Sequence, residues 1–156
     1  MEKISFELPA YEGFIPEMRT IIRNVAHDFG FNEQEAYEIV LVVDEVCNNA
    51  IEHGSKGRYK NVKLECKFDK QKVEITVKDS GCPQFNIEEV LKHAQELMEE
   101  RTAKPMLKRG LGLVIVQKYV DSLNVISSLQ GTEVKMIKRG HKVSKTGYHM
   151  HSLLLV

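Results

Sequence analysis

Val43-Asp44-Glu45-Val46-Cys47-Asn48-Asn49-Ala50-Ile51-Glu52-His53 is the stretch on which the reading of this chain turns. At about 100° per residue, Ile39, Val42, Val43, Val46 and Ala50 fall on one stripe of a helix and mark its buried face. Glu45 and Asn49 share one edge of that stripe, because residues four apart stack on a helix. A carboxylate and an amide at the border of a buried face can look into a pocket. Oxygen ligands of this kind suit Mg2+, which keeps several waters and leans on phosphates for its remaining ligands. Taken alone, the pair reads more simply as two solvated helix residues.

Working outward, Asn32 reads as the N-cap of this helix, with Glu35 three residues on completing a capping box. The helix should run to about His53. Before it, Ile15, Met18, Ile21, Ile22 and Val25 lie at helical spacing over 14–29, and Gly30 fits the residue just past a helix C-terminus. Residues 3–8, KISFEL, alternate as a short strand. After the central helix, 60–68 place Val62, Leu64, Cys66 and Phe68 on one face. Residues 72–79 do the same with Val73, Ile75 and Val77, and Asp69-Lys70-Gln71 is the hairpin turn. Residues 112–120 read as a third core helix. Two closing strands, 122–128 and 132–138, meet near Gly131. Between 80 and 109 lies an insertion, with Ile87, Val90, Leu91, Ala94, Leu97 and Met98 spaced as a helix.

Helices and strands come in separate blocks. That order predicts an α+β fold: a two-layer α/β sandwich, a mostly antiparallel mixed sheet with helices on one face.

Three further elements could carry chemistry. Asp79-Ser80-Gly81 ends a strand, where an acid before a glycine turn can aim a carboxylate at an exocyclic amine. Acidic strand ends before turns are also common without a ligand. Arg109-Gly110-Leu111-Gly112-Leu113 opens a helix, where glycines allow close backbone approach and free N–H groups can meet an anion. Lys108 and Arg109 add positive charge there. The stretch lacks the Lys-Ser/Thr of a Walker loop and the third glycine of a dinucleotide fingerprint, and a flexible hinge would read the same way. Gly131-Thr132 precedes the last strand, and the Thr132 hydroxyl could reach a ligand or satisfy a turn.

The remaining bounds come from size and composition. The chain has 156 residues, 42% hydrophobic and 28% charged. That is one globular domain. Lys plus Arg number 22 and Asp plus Glu 22, so net charge is zero. This argues against a general nucleic-acid binder but leaves room for a local basic patch. The longest apolar run, Ile39 to Val43, is about five residues against the roughly 18 a bilayer span needs. The N-terminus has no apolar signal core, and the expectation is a cytoplasmic protein without membrane contact. Cys47, Cys66 and Cys82 form no CxxC pair, so a zinc ribbon or dithiol site is not expected. Cys47 and Cys82 flank the candidate pocket and could make it oxidation-sensitive. His141, His149 and His151 form no close-set cage.

Taken together and in order, the four elements resemble the GHKL, or Bergerat-fold, superfamily of histidine-kinase-like ATPases. Glu45-x-x-x-Asn49-Ala50-x-x-His53 resembles its N-box, Asp79-x-Gly81 its G1 box, and Arg109-Gly110-x-Gly112-Leu113 its G2 box. Gly131-Thr132 resembles its last element. The resemblance spans about 3 to 139. Within the superfamily, Glu45 to Gly54, Thr102-Ala103-Lys104-Pro105 before the G2 box, and Val120-Asp121 are similar to bacterial anti-sigma-factor serine/threonine kinases.

The resemblance implies a kinase domain over 1–139 with an ATP lid at 82–108, and a C-terminal extension or additional strand at 140–156. It implies ATP and Mg2+ as cofactors. Glu45 would be the general base. Asn49 would hold Mg2+, which Glu45 could also reach through water. Asp79 would accept the adenine amine, with Gly81 letting the chain turn close to the base. Amides at Gly110, Gly112 and Leu113 would cradle phosphate, helped by Lys108 and Arg109, and Thr132 would support the adenine end. The implied partners are an anti-anti-sigma factor as protein substrate and a sigma factor, with a homodimer as the assembly. Residues 82–86, Cys82-Pro83-Gln84-Phe85-Asn86, depart from the family pattern. Two other readings therefore stay open: a nucleotide-gated binding switch without significant kinase activity, and a free-standing ATPase or histidine-kinase-like domain.

Overall fold

In the computed structural model, residues 1–9, 12–54, 61–81 and 111–140 are described. The expected lid, residues 82–108, lies outside them, as do Lys108, Arg109, Gly110 and the tail from 141 onward. Five strands form one sheet in the order β1-β2-β3-β5-β4. They are β1 (Glu2–Pro9), β2 (Asn61–Phe68), β3 (Lys72–Lys78), β4 (Ser122–Ser128) and β5 (Gly131–Arg139). Each of the four ladders is antiparallel. Among the described residues three α-helices accompany them: α1 (Ile15–Asp28), α2 (Glu33–Asn49) and α3 (Leu111–Tyr119). The result is the expected antiparallel sheet with helices on one face.

The two-residue period of the strands decides which face is covered. Val62, Leu64, Cys66 and Phe68 of β2 are buried, as are Val73, Ile75 and Val77 of β3 and Val134 and Met136 of β5. The intervening residues carry charge on the other face. There Glu65 pairs with Lys3 at 2.5 Å and with Lys67 at 3.1 Å. Glu133 pairs with Lys135 at 2.7 Å and also with Lys78. An antiparallel sheet tolerates one such solvated face.

Local chemistry sets the helix boundaries. Pro16 sits in the first turn of α1, where its missing N–H costs nothing. At the other end Gly30, at φ +91°, takes the left-handed position. Gly30 N donates to His27 O at 2.9 Å and Phe31 N to Ala26 O at 3.0 Å, the bond pair of a Schellman motif. Asn32 then caps α2 as expected. Its Oδ1 accepts from Glu35 N at 2.9 Å, and its own N–H donates to Glu35 Oε2 at 2.8 Å. The β2–β3 turn is held by Asp69, whose Oδ1 accepts from Gln71 N at 2.8 Å and Lys72 N at 2.9 Å.

Two local expectations change. Ile21 is 42% exposed. Ile15, Met18, Ile22 and Ala26 make the buried stripe of α1, and Ile21 stands about 100° round from Ile22. The central helix ends its α-geometry at Asn49 and widens into a π-helical turn over Ala50–Gly54. That turn keeps Ala50 and Ile51 both buried. Such turns occur mostly as single insertions at functional positions.

Candidate functional site

The described residues form two clusters of interest, one at the C-terminal end of α2 and one at the junction of β3 and β5. The first joins α2 to the start of α3. A Cβ on Gly112 would fall 2.5 Å from Glu45 Oε2 and 3.4 Å from Asn49 Nδ2. The absence of a side chain at Gly112 lets the backbone of α3 come this close to the pair without moving Glu45. The first turn of α3 also carries N–H groups without helical partners. A carboxylate, an amide and these N–H groups therefore share one small region. Leu113 contributes its backbone there and buries its side chain.

Glu45 is half-buried, and burial is the main cause that raises its proton affinity above that of an ordinary carboxylate. The neighbouring charges of Asp44 and Glu52 push in the same direction. Asp44 is itself held to Arg19 of α1, Nε to Oδ2 at 2.6 Å, and its Oδ1 is buried with no hydrogen-bond partner among the described residues. Burial raises the Asp44 carboxyl, while Arg19 opposes that shift.

The second cluster joins the end of β3 to the start of β5. Asp79 N donates to Thr132 O at 3.0 Å, which extends the ladder by one bond. Asp79 Oδ1 accepts from Gly81 N at 2.9 Å and Thr132 N at 3.3 Å. Two backbone amides thus fix Oδ1. Gly131, at φ +135°, passes so close that a Cβ would fall 1.9 Å from the Asp79 carbonyl oxygen. The Thr132 hydroxyl faces Ser127 Oγ at 3.4 Å. Thr132 thus acts on Asp79 through its backbone amide.

The structure brings Glu45, Asn49 and Gly112 together, and separately Asp79, Gly81, Gly131 and Thr132. These are the residues singled out in sequence, apart from Lys108, Arg109 and Gly110, which lie outside the described residues. The sequence reading missed Asp44 and Glu52 as charge neighbours of Glu45. Their spacing was a usable signal, because one is adjacent and the other seven residues, about two turns, further on.

Oxidation sensitivity at Cys47 is not supported. Cys47 and Cys66 are free thiols at 0% exposure. Burial, then the charges of Cys66 and Asp44, pushes the Cys47 thiol up. Burial pushes Cys66 up to about 12. The reactive species is the thiolate, and both sites suppress it. Cys82 lies outside the described residues.

The donor set bears on a cation as well. Among the described residues no three His, Cys, Asp or Glu side chains gather in the manner of a metal cage. A magnesium ion fits Asn49 only if phosphate and water complete its shell, the usual arrangement for that ion. No helix among the described residues is long and apolar enough to cross a membrane.

Known proteins resemble this chain in sequence and in fold. The chain is 38% identical over 118 residues to an anti-sigma F factor of Oceanobacillus iheyensis, covering 74% of this chain and 76% of that protein. It is 26% identical over 138 residues to the serine-protein kinase RsbW of Bacillus licheniformis, covering 86% and 84%. The fold resembles the RsbU and RsbW domains of a Mycobacterium tuberculosis protein at TM-score 0.62 and 17% identity, over 90% of this chain and 33% of that one. It also resembles a chain of the SiaB–SiaC complex from Pseudomonas aeruginosa at TM-score 0.57 and 14% identity, over 87% and 88%. Residues 8–138 match the histidine kinase-like ATPase domain family. The chain belongs to that family and is a homologue of anti-sigma F factors and RsbW-type kinases.

Proposed function

We propose that this protein is an ATP-dependent serine/threonine protein kinase that doubles as an anti-sigma factor. In this reading it phosphorylates an anti-anti-sigma antagonist and sequesters a sigma factor when that antagonist is phosphorylated. The observation that carries the proposal is the approach of Gly112 to Glu45 and Asn49. It sets an anion-binding helix start beside a carboxylate and an amide, the parts phosphoryl transfer needs.

Each residue then has a task. Asn49 would hold Mg2+ against the phosphates, where the ion supplies charge neutralisation. The amides of Gly112 and Leu113 face the phosphates, with Lys108, Arg109 and Gly110 completing the loop. Asp79 Oδ2 accepts the adenine amine, and the turn at Gly81 gives the base room. Glu45 takes the proton from the hydroxyl of the substrate serine or threonine. Its raised proton affinity suits that task, since a general base works best with a pKa near the working pH. Residues 82–108 would close over the nucleotide and exclude water, which favours transfer to protein over hydrolysis. A homodimer and a cytoplasmic location follow from the same reading.

The names of the homologues support the pairing of the two activities, since one is an anti-sigma F factor and another a serine-protein kinase. The test uses radiolabelled ATP, Mg2+ and candidate antagonist proteins. Acid-stable phosphoserine or phosphothreonine is expected, and it should disappear in Glu45→Ala. Transfer undiminished in that variant would remove Glu45 as the base. ATP-dependent capture of a partner with no phosphoprotein would point to a binding switch. Acid-labile phosphohistidine would point to a histidine-kinase-like domain.

A further inference from the structure

On β5 the buried face reads Val134, Met136, Lys138, and the third position is a lysine where the alternation asks for an apolar side chain. Its side chain is 7% exposed. Lys138 Nζ lies 2.5 Å from Glu38 Oε2 of α2 and donates to Tyr119 O of α3 at 3.0 Å. Glu38 is half-buried, its side chain 14% exposed, and its other oxygen accepts from Gln34 Nε2 at 2.9 Å. Tyr119 is the last residue of α3, so its carbonyl has no partner within the helix. The lysine amine supplies that partner, at the end of the helix that favours a cation.

The placement links this cluster to the candidate site. Gly112 meets Glu45 at one end of α3, and Lys138 ties Tyr119 to Glu38 at the other. Seven residues separate Gly112 from Tyr119, and seven separate Glu38 from Glu45. Both intervals are about 10.5 Å of helix. Helix α3 therefore lies antiparallel along α2 and is fixed at two points of matching span. One point is the close approach of Gly112 to Glu45. The other is the ion pair of buried Lys138 with half-buried Glu38, together with a carbonyl.

We propose that Lys138 and Glu38 are positioning residues, which hold the far end of α3 on α2 and so set its start at the spacing the nucleotide phosphates require. The proposal rests on the nucleotide-binding reading above. Neither side chain touches the ligand. They act through the rigid helix between the two points.

The test uses the full chain and its Lys138→Met and Lys138→Met/Glu38→Met variants. Three readouts are compared: melting temperature, hydrogen exchange across 111–119, and ADP affinity with Mg2+ by calorimetry. Lys138→Met is expected to speed exchange in α3 and to weaken ADP binding by roughly 3- to 30-fold, the range for a coupled but remote residue. The double variant replaces this ion pair by apolar side chains, which often restores stability. It still leaves the Tyr119 carbonyl without its donor. Its melting temperature should therefore recover while α3 exchange stays fast and ADP binding stays weak. If ADP affinity recovers along with melting temperature, or if α3 exchange is unchanged in either variant, the positioning role is overturned. If Lys138→Met does not fold, the double variant carries the test. A wild-type chain that binds no ADP would overturn the nucleotide reading instead, and exchange in α3 would still decide whether the two residues fix the helix.

Discussion

A methyl group on Gly112 would lie 2.5 Å from Glu45 Oε2, closer than any non-bonded contact allows. The atom it meets is the tip of a carboxylate, which can swing aside. Stability and chemistry should therefore part company in Gly112→Ala. Alanine gains about 1 kcal/mol of helix propensity over glycine, which offsets the cost of moving Glu45. The melting temperature is expected to stay within about 5 °C of wild type. Phosphoryl transfer is expected to fall roughly 100-fold, as displacements of about 1 Å at reacting groups do. A variant with normal transfer would mean that the Gly112–Glu45 approach has no part in the reaction.

Gly131→Ala should behave in the opposite way. Its added Cβ would meet a backbone carbonyl, that of Asp79, at 1.9 Å, and its φ of +135° disfavours any L side chain. Neither atom can swing away. A loss of roughly 2–4 kcal/mol is expected, in the range of a forced backbone conformation combined with overpacking. Urea denaturation at constant m-value measures it. A loss below about 1 kcal/mol would show that the β3–β5 junction relaxes freely.

Asp79 can be tested with the conservative amide. In Asp79→Asn one oxygen remains to accept from Gly81 and Thr132, so the turn should hold. The other position becomes an NH2 group, which would face the adenine amine donor to donor. ADP affinity is expected to fall roughly 10- to 100-fold, the worth of a hydrogen bond to a charged group. Calorimetry with ADP gives the number, and circular dichroism checks the fold. Unchanged affinity would place the adenine elsewhere.

Glu45 makes a prediction about pH. Burial first, then Asp44 and Glu52, raises its proton affinity in the folded state. A raised folded-state value means that ionisation opposes folding. The stabilising contribution is fully present below the unfolded-state value and is lost as pH rises through the folded-state value. Glu45→Gln removes this cost at neutral pH. Its melting temperature should match wild type in acid and exceed it increasingly as pH rises through the Glu45 titration. Transfer should drop roughly 100- to 10,000-fold in the same variant, as expected for a lost general base. In wild type, kcat/KM should fall on acidification with a midpoint above the ordinary carboxylate range. A Glu45→Gln variant less stable than wild type at neutral pH would contradict the burial argument.

Most of the fold was legible because its signals are local. Gly30 and the Asn32–Glu35 box mark the boundary between α1 and α2, and the alternation in β2 and β3 names their buried face. Ile21 was misread because apolar character alone does not say which side of a stripe a residue takes when Ile22 competes for the core. The widening of α2 at Ala50 has no marker at its start, since Ala50, Ile51 and Glu52 continue an ordinary helical pattern and Gly54 signals only the end.

By itself, the sequence determined the element types, the antiparallel sheet with helices on one face, and the residue types at the candidate site. These depend on periodicity and capping within short segments. Only the tertiary structure decided which distant segments meet. It set Gly112 against Glu45, Gly131 against Asp79, and Lys138 between Glu38 and Tyr119. The physical reason is that such contacts depend on how α2, α3 and the sheet pack together, and the sequence encodes that packing only through the sum of many weak apolar contacts. Lys138 shows the difference most clearly. In the sequence it is one of two lysines on a charged strand. In the fold it is buried, paired and bonded to the end of a helix.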